Sequence, residues 1–372
     1  MRKLYLVVTV LISLLLSCKS ERNPEARISN IQIDMEKAST LEGKRIVSKV
    51  EYIPIENTEE SAFSEISKIQ FINDKYYVLD IGGRNHHLYI YNRDGSFFQR
   101  IGNIGKGPGE YLRLCDFDVD KNEKIYLYDR QFKKIHVFDS ANNHITSKPL
   151  PFRADAFSLL ENDDLIFSLY NEPVPGTINP KIIVTDKDIH SISTISKYPP
   201  EFLDNRGRAG LFKRHPSGFT YNKPADDTLY IFRNDGKVEK LYHFDFGSYS
   251  MPAEYRNDAE FMMENNTNDF SYLSTTPLLV KNTLMGNIKT KNYKYFYTYN
   301  LGNQSLSCRA LKETDFSHNN INFPLALIGD SIVVSYLDQS LYSIDVNKDE
   351  IPSPVVEHMN NFGIVLLLYY LK

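Results

Sequence analysis

The most basic stretch of the chain carries the residue types that bind anions. It contains Arg206, Arg208, Lys213, Arg214 and His215. A guanidinium group can hold a carboxylate or a sulfate through two parallel N–H donors, so a cluster of this kind suits a carboxylated or sulfated glycan. The stretch lies in an insertion between repeats and predicts a ligand-binding site on a loop. The alternative is a solvated loop whose charges pair with acidic turns nearby.

Histidines are the next candidates for chemistry. His86 and His87 are adjacent, and adjacent residues of a strand point to opposite faces, so they do not easily share a metal. His136 and His215 could join one of them only if the fold brought three histidines to a central channel, and no spacing predicts this. We therefore predict no metal ligand and no cofactor from these residues.

Five aspartates lie at the ends of predicted strands or in turns. Carboxylates in such positions commonly accept hydrogen bonds from turn backbone or from a neighbouring repeat, and we interpret them in this way. Because Ca²⁺ prefers carboxylate oxygens, a calcium site is the alternative. The five are Asp80, Asp116, Asp118, Asp120 and Asp129.

A glycine-rich segment, residues 105–111 with the sequence GKGPGEY, could suggest a phosphate-binding loop. A Walker loop needs GxxxxGK[ST] before a helix, whereas here Pro108 interrupts the glycines and predicted strands flank them. We interpret the segment as a tight crossover in which glycine supplies backbone angles that other residues avoid. Its residues are Gly105, Gly107, Pro108, Gly109, Glu110 and Tyr111. The chain contains no GxSxG nucleophile motif.

The elements that must position these residues recur at a fixed interval. Four strand-like runs begin 47 residues apart. A period of this size, in which several short strands alternate with turns, is typical of a β-propeller, where each blade buries its faces against its neighbours. The sequence therefore predicts an all-β fold. The four runs are residues 88–92, 135–139, 182–186 and 229–233.

Two further runs complete the count of blades. The fifth, residues 296–300, begins 67 residues after the fourth, and the excess includes residues 250–266. We predict an inserted helix there because Pro252 would lie in its first turn. The sixth run, residues 364–371, lacks a following strand, which the alternating residues 46–55 can supply. We therefore predict a six-bladed β-propeller closed by antiparallel pairing of an N-terminal strand with the C-terminal blade.

Composition bounds the class of protein. Of the 372 residues 42% are apolar, and Tyr and Phe number 25 and 22 while Trp is absent. Aromatic enrichment suits half-buried strands better than helices. A net charge of −4 offers no basic face for phosphates, so we predict no nucleic-acid partner. Cys115 and Cys308 fall in non-neighbouring repeats, which predicts two unpaired thiols, because a disulfide needs Cα atoms within about 7 Å.

The N-terminal residues predict export. Arg2 and Lys3 precede residues 4–16, a mostly apolar run that is too short for a membrane span and typical of a signal peptide. Leu15-Leu16-Ser17-Cys18 then resembles a bacterial lipobox, in which cleavage before Cys18 exposes a thiol that is lipidated. An ordinary signal peptide that contains a cysteine is the alternative. The predicted organisation is a lipoprotein signal peptide over 1–17, a lipid-anchored tether over 18–45 and the propeller over 46–372.

Four segments carry a resemblance to a known family. The junction 105–111 resembles the GxGPGEY segment of the six-bladed β-propeller lipoproteins of Gram-negative bacteria, relatives of the NHL and TolB-like propellers. Residues 50–55 (VEYIPI), 75–80 (KYYVLD) and 243–247 (HFDFG) match the same family. The resemblance implies the fold and a place in the cell envelope, at the outer membrane facing the periplasm or the surface. It transfers no catalytic residue.

Three functions are compatible with these patterns. The first is a non-enzymatic module, held at the membrane by its lipid, that binds a glycan or a protein partner. The second is a metal-dependent envelope hydrolase or lyase in the central channel, which needs three or more His, Asp or Glu side chains converging on the axis. The third is a structural scaffold, whose channel would be filled with apolar side chains. We predict the first.

Overall fold

Tight turns divide the chain into short strands. Gly95 and Gly236 end two Asp-Gly turns with φ values of 88° and 79°. Only the glycine of each pair has a positive φ, and the strand pairing beside each turn shifts by one residue. Each is therefore a three-residue turn that ends in a glycine bulge. The computed structural model describes residues 27–35, 39–41, 46–62, 64–82, 86–170, 172–198, 210–223, 226–252, 270–311, 321–338, 351–361 and 363–372.

Three strands precede the first repeat. They are β1 (Ile28–Gln32), β2 (Ser39–Thr40) and β3 (Val47–Ile55). Each of the three joins a sheet whose other strands come much later in the chain.

The first half of the propeller consists of three four-stranded antiparallel sheets. Blade 1 contains β4 (Lys68–Ile72), β5 (Lys75–Asp80), β6 (His87–Asn92) and β7 (Phe97–Ile101). Blade 2 contains β8 (Leu114–Val119), β9 (Ile125–Asp129), β10 (Lys134–Phe138) and β11 (His144–Pro149). Blade 3 contains β12 (Ala154–Leu159), β13 (Leu165–Leu169), β14 (Pro180–Thr185) and β15 (Ile192–Lys197).

The second half is decorated by the N-terminal strands. Blade 4 contains β16 (Phe212–His215), β17 (Gly218–Tyr221), β18 (Thr228–Arg233) and β19 (Val238–Asp245). Blade 5 contains an inner position divided between β20 (Tyr272–Leu273) and β21 (Leu278–Val280), then β22 (Thr283–Lys289), β23 (Lys294–Asn300) and β24 (Leu306–Leu311). Blade 6 contains β25 (Ala326–Ile328), β26 (Ile332–Leu337), β27 (Ile364–Leu371) and β3, and helix α1 (Ser353–Asn360) lies between β26 and β27 in the chain.

The apolar core consists of six wedges, one between each pair of neighbouring blades. The third strand of blade 1 shows how one strand serves two wedges. Leu88 and Ile90 pack towards blade 2, whereas Tyr89 and Tyr91 pack towards blade 6. Since alternate residues of a strand point to opposite faces, a strand buried on both faces is apolar at most positions. This explains the predicted 47-residue signal, whose runs coincide with the third strands.

The prediction of six blades is confirmed, and so is the predicted closure. β27 pairs antiparallel with β3, with Leu366 opposite Ile53 and Leu368 opposite Glu51. The last blade is therefore built from an N-terminal and a C-terminal strand, and β3 covers the edge of β27 that would otherwise be open to other strands.

The stretch expected to be a tether contributes structure of its own. β1 pairs in parallel with β19 on the outside of blade 4, and β2 pairs in parallel with β24 on the outside of blade 5. Ile31 and Ile33 are buried in the wedge between blades 4 and 5. Burial of these two isoleucines stabilises the docking of residues 28–33 against blades 4 and 5. The polar composition of the surrounding stretch gives no indication of this contact. Residues 18–26 lie outside the described residues.

Some remaining expectations meet the structure only in part. Cys115 and Cys308 are free, buried thiols in blades 2 and 5. Almost all of residues 250–266, where a helix was expected, lies outside the described residues. A short 3-10 turn at Gly247–Tyr249 precedes this segment. In the described part of the chain, no helix has the length and apolarity that crossing a bilayer requires.

Candidate functional site

The innermost strands of the blades surround the propeller axis. β8 packs against β12, and β16 contacts both β21 and β25, so strands of blades 4, 5 and 6 meet near the centre. Two of the innermost strands, β4 and β8, carry polar side chains at alternate positions, whereas β21 and β25 are apolar. The charged side chains of the described innermost strands therefore come from blades 1 to 4.

Asp116 joins blades 1, 2 and 3 near the axis. The carboxylate of this β8 residue accepts a hydrogen bond of 2.8 Å from Lys68 Nζ on β4 and one of 3.0 Å from the backbone N–H of Phe157 on β12. Lys68 also donates to the carbonyl oxygen of Phe117. Both charged side chains are almost fully buried. The pair is thus a structural clamp between blades, and its lysine is fully engaged.

Asp118 is the second clamp and reaches blade 4. It accepts hydrogen bonds from Gln70 Nε2 on β4, Ser158 Oγ on β12 and Arg214 Nη2 on β16, at 2.8, 2.8 and 2.6 Å. Burial alone would raise the pKa of Asp118, but the positive charges of Arg214 and Lys68 hold that pKa below its usual range. This carboxylate is therefore ionised and ties four blades together.

Lys213 has no comparable partner. Its ammonium group donates to the carbonyl oxygen of Pro324 at 2.7 Å, and among the described residues it makes no ion pair within 4 Å. Burial lowers the pKa of Lys213 to about 7, because the charged amine has lost water without gaining a carboxylate. Lys213 is therefore an amine poised between its charged and neutral forms at physiological pH.

A cavity of about 200 Å³ opens beside these side chains. Segments 67–72, 210–214, 274–276 and 325–327 line it, which places it among blades 1, 4, 5 and 6. Among the residues that the structure describes, its charged lining residues are Lys68, Lys213 and Arg214, all of them cations. The two carboxylates that balance them, Asp116 and Asp118, lie behind the lining. The cavity therefore favours a negatively charged occupant.

The predicted basic site is divided by the structure. Lys213 and Arg214 lie on β16, the innermost strand of blade 4, and not on a loop. His215 is buried beside Ser217, and burial lowers its pKa to about 4, so it is a neutral side chain near pH 7. Arg206 and Arg208 lie outside the described residues. The structure thus brings two of the five predicted residues to the cavity.

The other histidines have structural partners within blades 1 and 2. His86 Nδ1 lies 3.0 Å from the carbonyl oxygen of Leu114, and His87 Nδ1 lies 3.0 Å from the hydroxyl of Tyr111. His136 Nδ1 lies 2.8 Å from Ser147 Oγ. The described residues contain no group of three or more His, Cys, Asp or Glu side chains arranged to hold a metal.

Aspartates at the ends of second strands organise the loops that join blades. Asp80 accepts hydrogen bonds from the backbone N–H groups of Ser64 and Gly82. Asp129 does the same for Leu112 and Gln131. Both aspartates are fully buried. Asp120 is different, since it only caps its own turn, with Asn122 and Lys124 as the donors.

The glycine-rich junction is a compact turn between β7 and β8. Glu110 folds back so that its carboxylate accepts a 2.7 Å hydrogen bond from the N–H of Gly107. Gly105 N–H donates to the carbonyl oxygen of Tyr111, whose side chain is fully buried. Pro108 and Gly109 form the turn itself, and Gly109 has a φ of 77°. The N–H groups of Gly105 and Gly107 therefore bond within the chain.

Sequence reasoning missed Lys68 and Gln70 as cavity residues. The signal was present, because Lys68 and Gln70 alternate on β4 as Asp116 and Asp118 do on β8. Polar residues at alternate positions on the first strand of successive repeats indicate a polar axis. The alternation of polar residues could not be recognised around Lys213 because β16 is only four residues long.

The family of the chain follows from its sequence as a whole. A family model described as "Domain of unknown function (DUF4934)" matches residues 27–356. The chain belongs to this family. No curated protein has a significantly similar sequence.

Two crystal structures share the architecture. A Bacteroides fragilis protein named a "putative exported protein" is 17% identical, with a TM-score of 0.75 over 92% of this chain and 100% of that one. A member of the DUF4221 family from Bacteroides vulgatus is 12% identical, with a TM-score of 0.55 over 88% and 97% of the two chains. At these identities the likeness establishes the fold.

Proposed function

We propose that this protein is a lipid-anchored module of the cell envelope that binds an anionic ligand in its central cavity. The observation that carries the proposal is the lining of that cavity, in which the charged residues of the described chain are Lys68, Lys213 and Arg214. A channel filled with apolar side chains would favour a scaffold. A cationic lining favours recognition of a carboxylate or a sulfate.

Two of these cations have hydrogen-bond donors to spare. An ammonium group offers three N–H donors, and Pro324 takes one from Lys213. The hydrogen bonds of Arg214 to Asp118, Ser158 and Leu159 all leave from one nitrogen, Nη2. Nε and Nη1 of the same guanidinium group can therefore serve a ligand.

The size of the cavity limits the ligand. A volume of about 200 Å³ exceeds the roughly 150 Å³ of an engineered cavity that holds benzene. A small organic acid, or a single acidic sugar at the end of a glycan, matches this space. Arg206 and Arg208 precede the cavity residue Gly210 by a few positions in sequence, and we propose that they extend the same site.

The proposed location rests on the leader sequence and on a neighbour. Residues 4–16 and the Cys18 motif are typical of an exported lipoprotein, and the Bacteroides fragilis protein of the same fold is named a "putative exported protein". Lipid chains on Cys18 would hold the propeller at a membrane, since each buried methylene contributes about 0.8 kcal/mol. We place it at the outer membrane.

Calorimetric titration with glucuronate tests the ligand class, and glucose is the matched neutral control. We expect glucuronate to bind and glucose not to bind. Lys213→Met should weaken glucuronate binding about tenfold or more, because one charge-assisted hydrogen bond contributes roughly 1.5–3 kcal/mol. Arg233→Ser removes an exposed arginine of the same blade and should leave affinity unchanged. Equal binding of acid and sugar would contradict the proposal.

Metabolic labelling with a fatty acid tests the anchor. The wild-type protein should incorporate the label, and Cys18→Ala should not, because the proposed acylation depends on that thiol. Cys115→Ala is the matched control, since its buried thiol lies in blade 2. Label that persists on the Cys18→Ala protein would refute the lipid assignment while leaving the cavity proposal intact.

A further inference from the structure

Two lysines line the cavity, and their surroundings differ. Lys68 Nζ is held between the Asp116 carboxylate and the carbonyl oxygen of Phe117, at 2.8 and 2.6 Å. Lys213 Nζ meets one carbonyl oxygen, that of Pro324. A carbonyl oxygen does not neutralise an ammonium charge. The two amines are thus distinct chemical groups in one cavity.

The burial of Lys213 disfavours its protonated form. Among the described residues, the other charged side chains lining the cavity are Lys68 on β4 and Arg214 on β16, both positive. The lining segments 274–276 and 325–327 add hydroxyl and apolar side chains. Burial lowers the pKa of Lys213 to about 7. A neutral amine is a nucleophile, and proteins use lysines of this kind to attack carbonyl carbons.

We propose that Lys213 captures a small carbonyl compound as a reversible imine, and that the preferred compound carries a carboxylate next to its carbonyl group. The inference goes beyond reversible anion binding and shares only the cavity with it. The ligand class is therefore a 2-oxo acid of a few carbon atoms.

The reaction is balanced without any further reagent. The nitrogen lone pair of neutral Lys213 adds to the carbonyl carbon and forms a C–N bond. The two hydrogens of the amine pass to the former carbonyl oxygen, which leaves as water while the C=N bond forms. Addition of water reverses both steps and releases the compound. The amine returns unchanged.

Arg214 supplies the second contact that a 2-oxo acid requires. It is adjacent to Lys213 on β16, so the two side chains point to opposite faces of the strand, one towards Asp118 and the other towards Pro324, and border the cavity from two sides. Its Nη2 is bound to Asp118, so the guanidinium group is held in place while Nε and Nη1 can serve a ligand. A carboxylate at this guanidinium would leave the adjacent carbonyl group to the amine of Lys213. An aldehyde without a carboxylate lacks this contact.

Reductive trapping tests the proposal on the full-length protein. Sodium cyanoborohydride reduces an imine to a stable amine, and peptide mapping then identifies the modified lysine. The probes are glyoxylate and acetaldehyde, which share an aldehyde and differ in the carboxylate. At pH 7 we expect Lys213 to be modified by glyoxylate at least tenfold faster than an exposed lysine such as Lys237.

The physical reason for the faster labelling of Lys213 is the larger fraction of its amine that is neutral. An amine with a pKa near 7 is half neutral at pH 7, whereas an ordinary lysine is neutral in only about one molecule in 2,500. The labelling rate of Lys213 should level off above pH 7. We expect acetaldehyde to label Lys213 at least fivefold more slowly than glyoxylate.

Two controls separate reactivity from structure. Lys213→Arg keeps a positive charge, so it should keep the melting temperature while losing the fast-labelled peptide. Lys240→Arg changes an exposed lysine of the same blade and should retain labelling at Lys213. Modification of Lys213 no faster than that of Lys237, or equal rates with the two aldehydes, would overturn the proposal. Glucuronate could still bind in that case, so this failure is distinguishable from failure of anion binding.

Discussion

At the scale of single residues, two kinds of charged side chain lie near the propeller axis. Some join blades through ion pairs, whereas Lys213 makes no ion pair among the described residues. Asp116 and Asp118 each join at least three blades through Lys68, Gln70 and Arg214. Lys213 lies among them, and within the described residues its ammonium group bonds to the carbonyl oxygen of Pro324 without an ion pair. Buried ion pairs keep their function as clamps even when they contribute little net stability. A part-buried amine without a carboxylate partner among the described residues reduces stability, and the proposed anionic ligand would supply that partner.

Replacement of Lys213 by methionine should make stability depend less on pH. The pKa of Lys213 is lowered to about 7 in the folded protein, against about 10.4 in the unfolded chain. Between these values the unfolded state binds a proton that the folded state lacks, so the wild-type free energy of unfolding rises with pH. Urea titrations from pH 6 to 10 should show wild type gaining on Lys213→Met above pH 7, by at most about 1.4 kcal/mol per unit.

An exposed lysine provides the control for this measurement. Lys237→Met makes the same chemical change where the side chain is 64% exposed. Its stability difference from wild type should stay constant over the same range. A constant difference for Lys213→Met as well would mean that the amine is paired in solution.

Sequence analysis located the chemistry of residues better than their geometry. Lys213, Arg214, Asp116 and Asp118 all stood out by type and spacing. Their convergence could not be read from one repeat, because each clamp joins strands that lie 40 or more positions apart in sequence. Only the ring places these strands side by side.

At the scale of elements, the turns that join blades are specified by single residues. Gly109 combines a φ of 77° with close packing, since an added Cβ would lie 2.7 Å from Cγ of His144 and 2.8 Å from its Cβ. Those atoms are close to the backbone of β11 and cannot swing away. The junction between blades 1 and 2 is therefore locked against the outer strand of blade 2.

Gly109→Ala and Gly176→Ala should separate the two effects. Gly176 has a φ of 74° but nothing within 4 Å of an added Cβ, so its substitution costs only left-handed strain, about 1–2 kcal/mol. Gly109→Ala adds a steric clash and should cost at least about 1 kcal/mol more. Thermal or urea unfolding of both variants gives the comparison. If the double variant Gly109→Ala, His144→Gly, which removes both contacting atoms, recovers none of the difference, the clash is not its source.

The third strands are among the elements that sequence predicted correctly, whereas β16 was misassigned to a loop. A third strand is mostly apolar because two wedges bury it, so its local sequence suffices. β16 contains Lys213-Arg214-His215 in four residues, a composition that indicates a loop. Its strand conformation depends on pairing with β17 and on partners across the axis. No local pattern records those partners.

At the scale of the whole molecule, the blades form a closed ring in which the stability of each blade depends on both of its neighbours. Each wedge is shared by two blades, and the wedge between blades 6 and 1 unites residues from both ends of the chain. Ile53 on β3 lies opposite Leu366 on β27, and both are buried. Loosening this one seam should therefore weaken all six blades.

Ile53→Ala and Leu366→Ala test the seam through a double-mutant cycle. Each substitution should cost about 2–5 kcal/mol, because it removes buried methyl groups and leaves a cavity. Since the two side chains face each other, their effects should be non-additive by roughly 0.5–3 kcal/mol. Differential scanning calorimetry should show one transition that moves to lower temperature.

Leu159→Ala in blade 3 serves as the distant partner for this cycle. Leu159 is buried in the wedge between blades 2 and 3, so its effect should add to that of Ile53→Ala within about 0.5 kcal/mol. Two separate melting transitions in either seam variant would show that the blades unfold independently.

Closure by β3 and β27 also determines how long β3 remains unpaired during synthesis. β3 is made about three hundred residues before the strand it pairs with. At roughly 5–20 residues per second, this strand spends about 15–60 s without its partner. An open strand invites misassembly, and the sequence of β3 counters this hazard. Pro54 lacks an N–H donor, and Lys49 and Glu51 place charges along the strand. The same residues that finish the ring therefore keep the nascent chain from pairing too early.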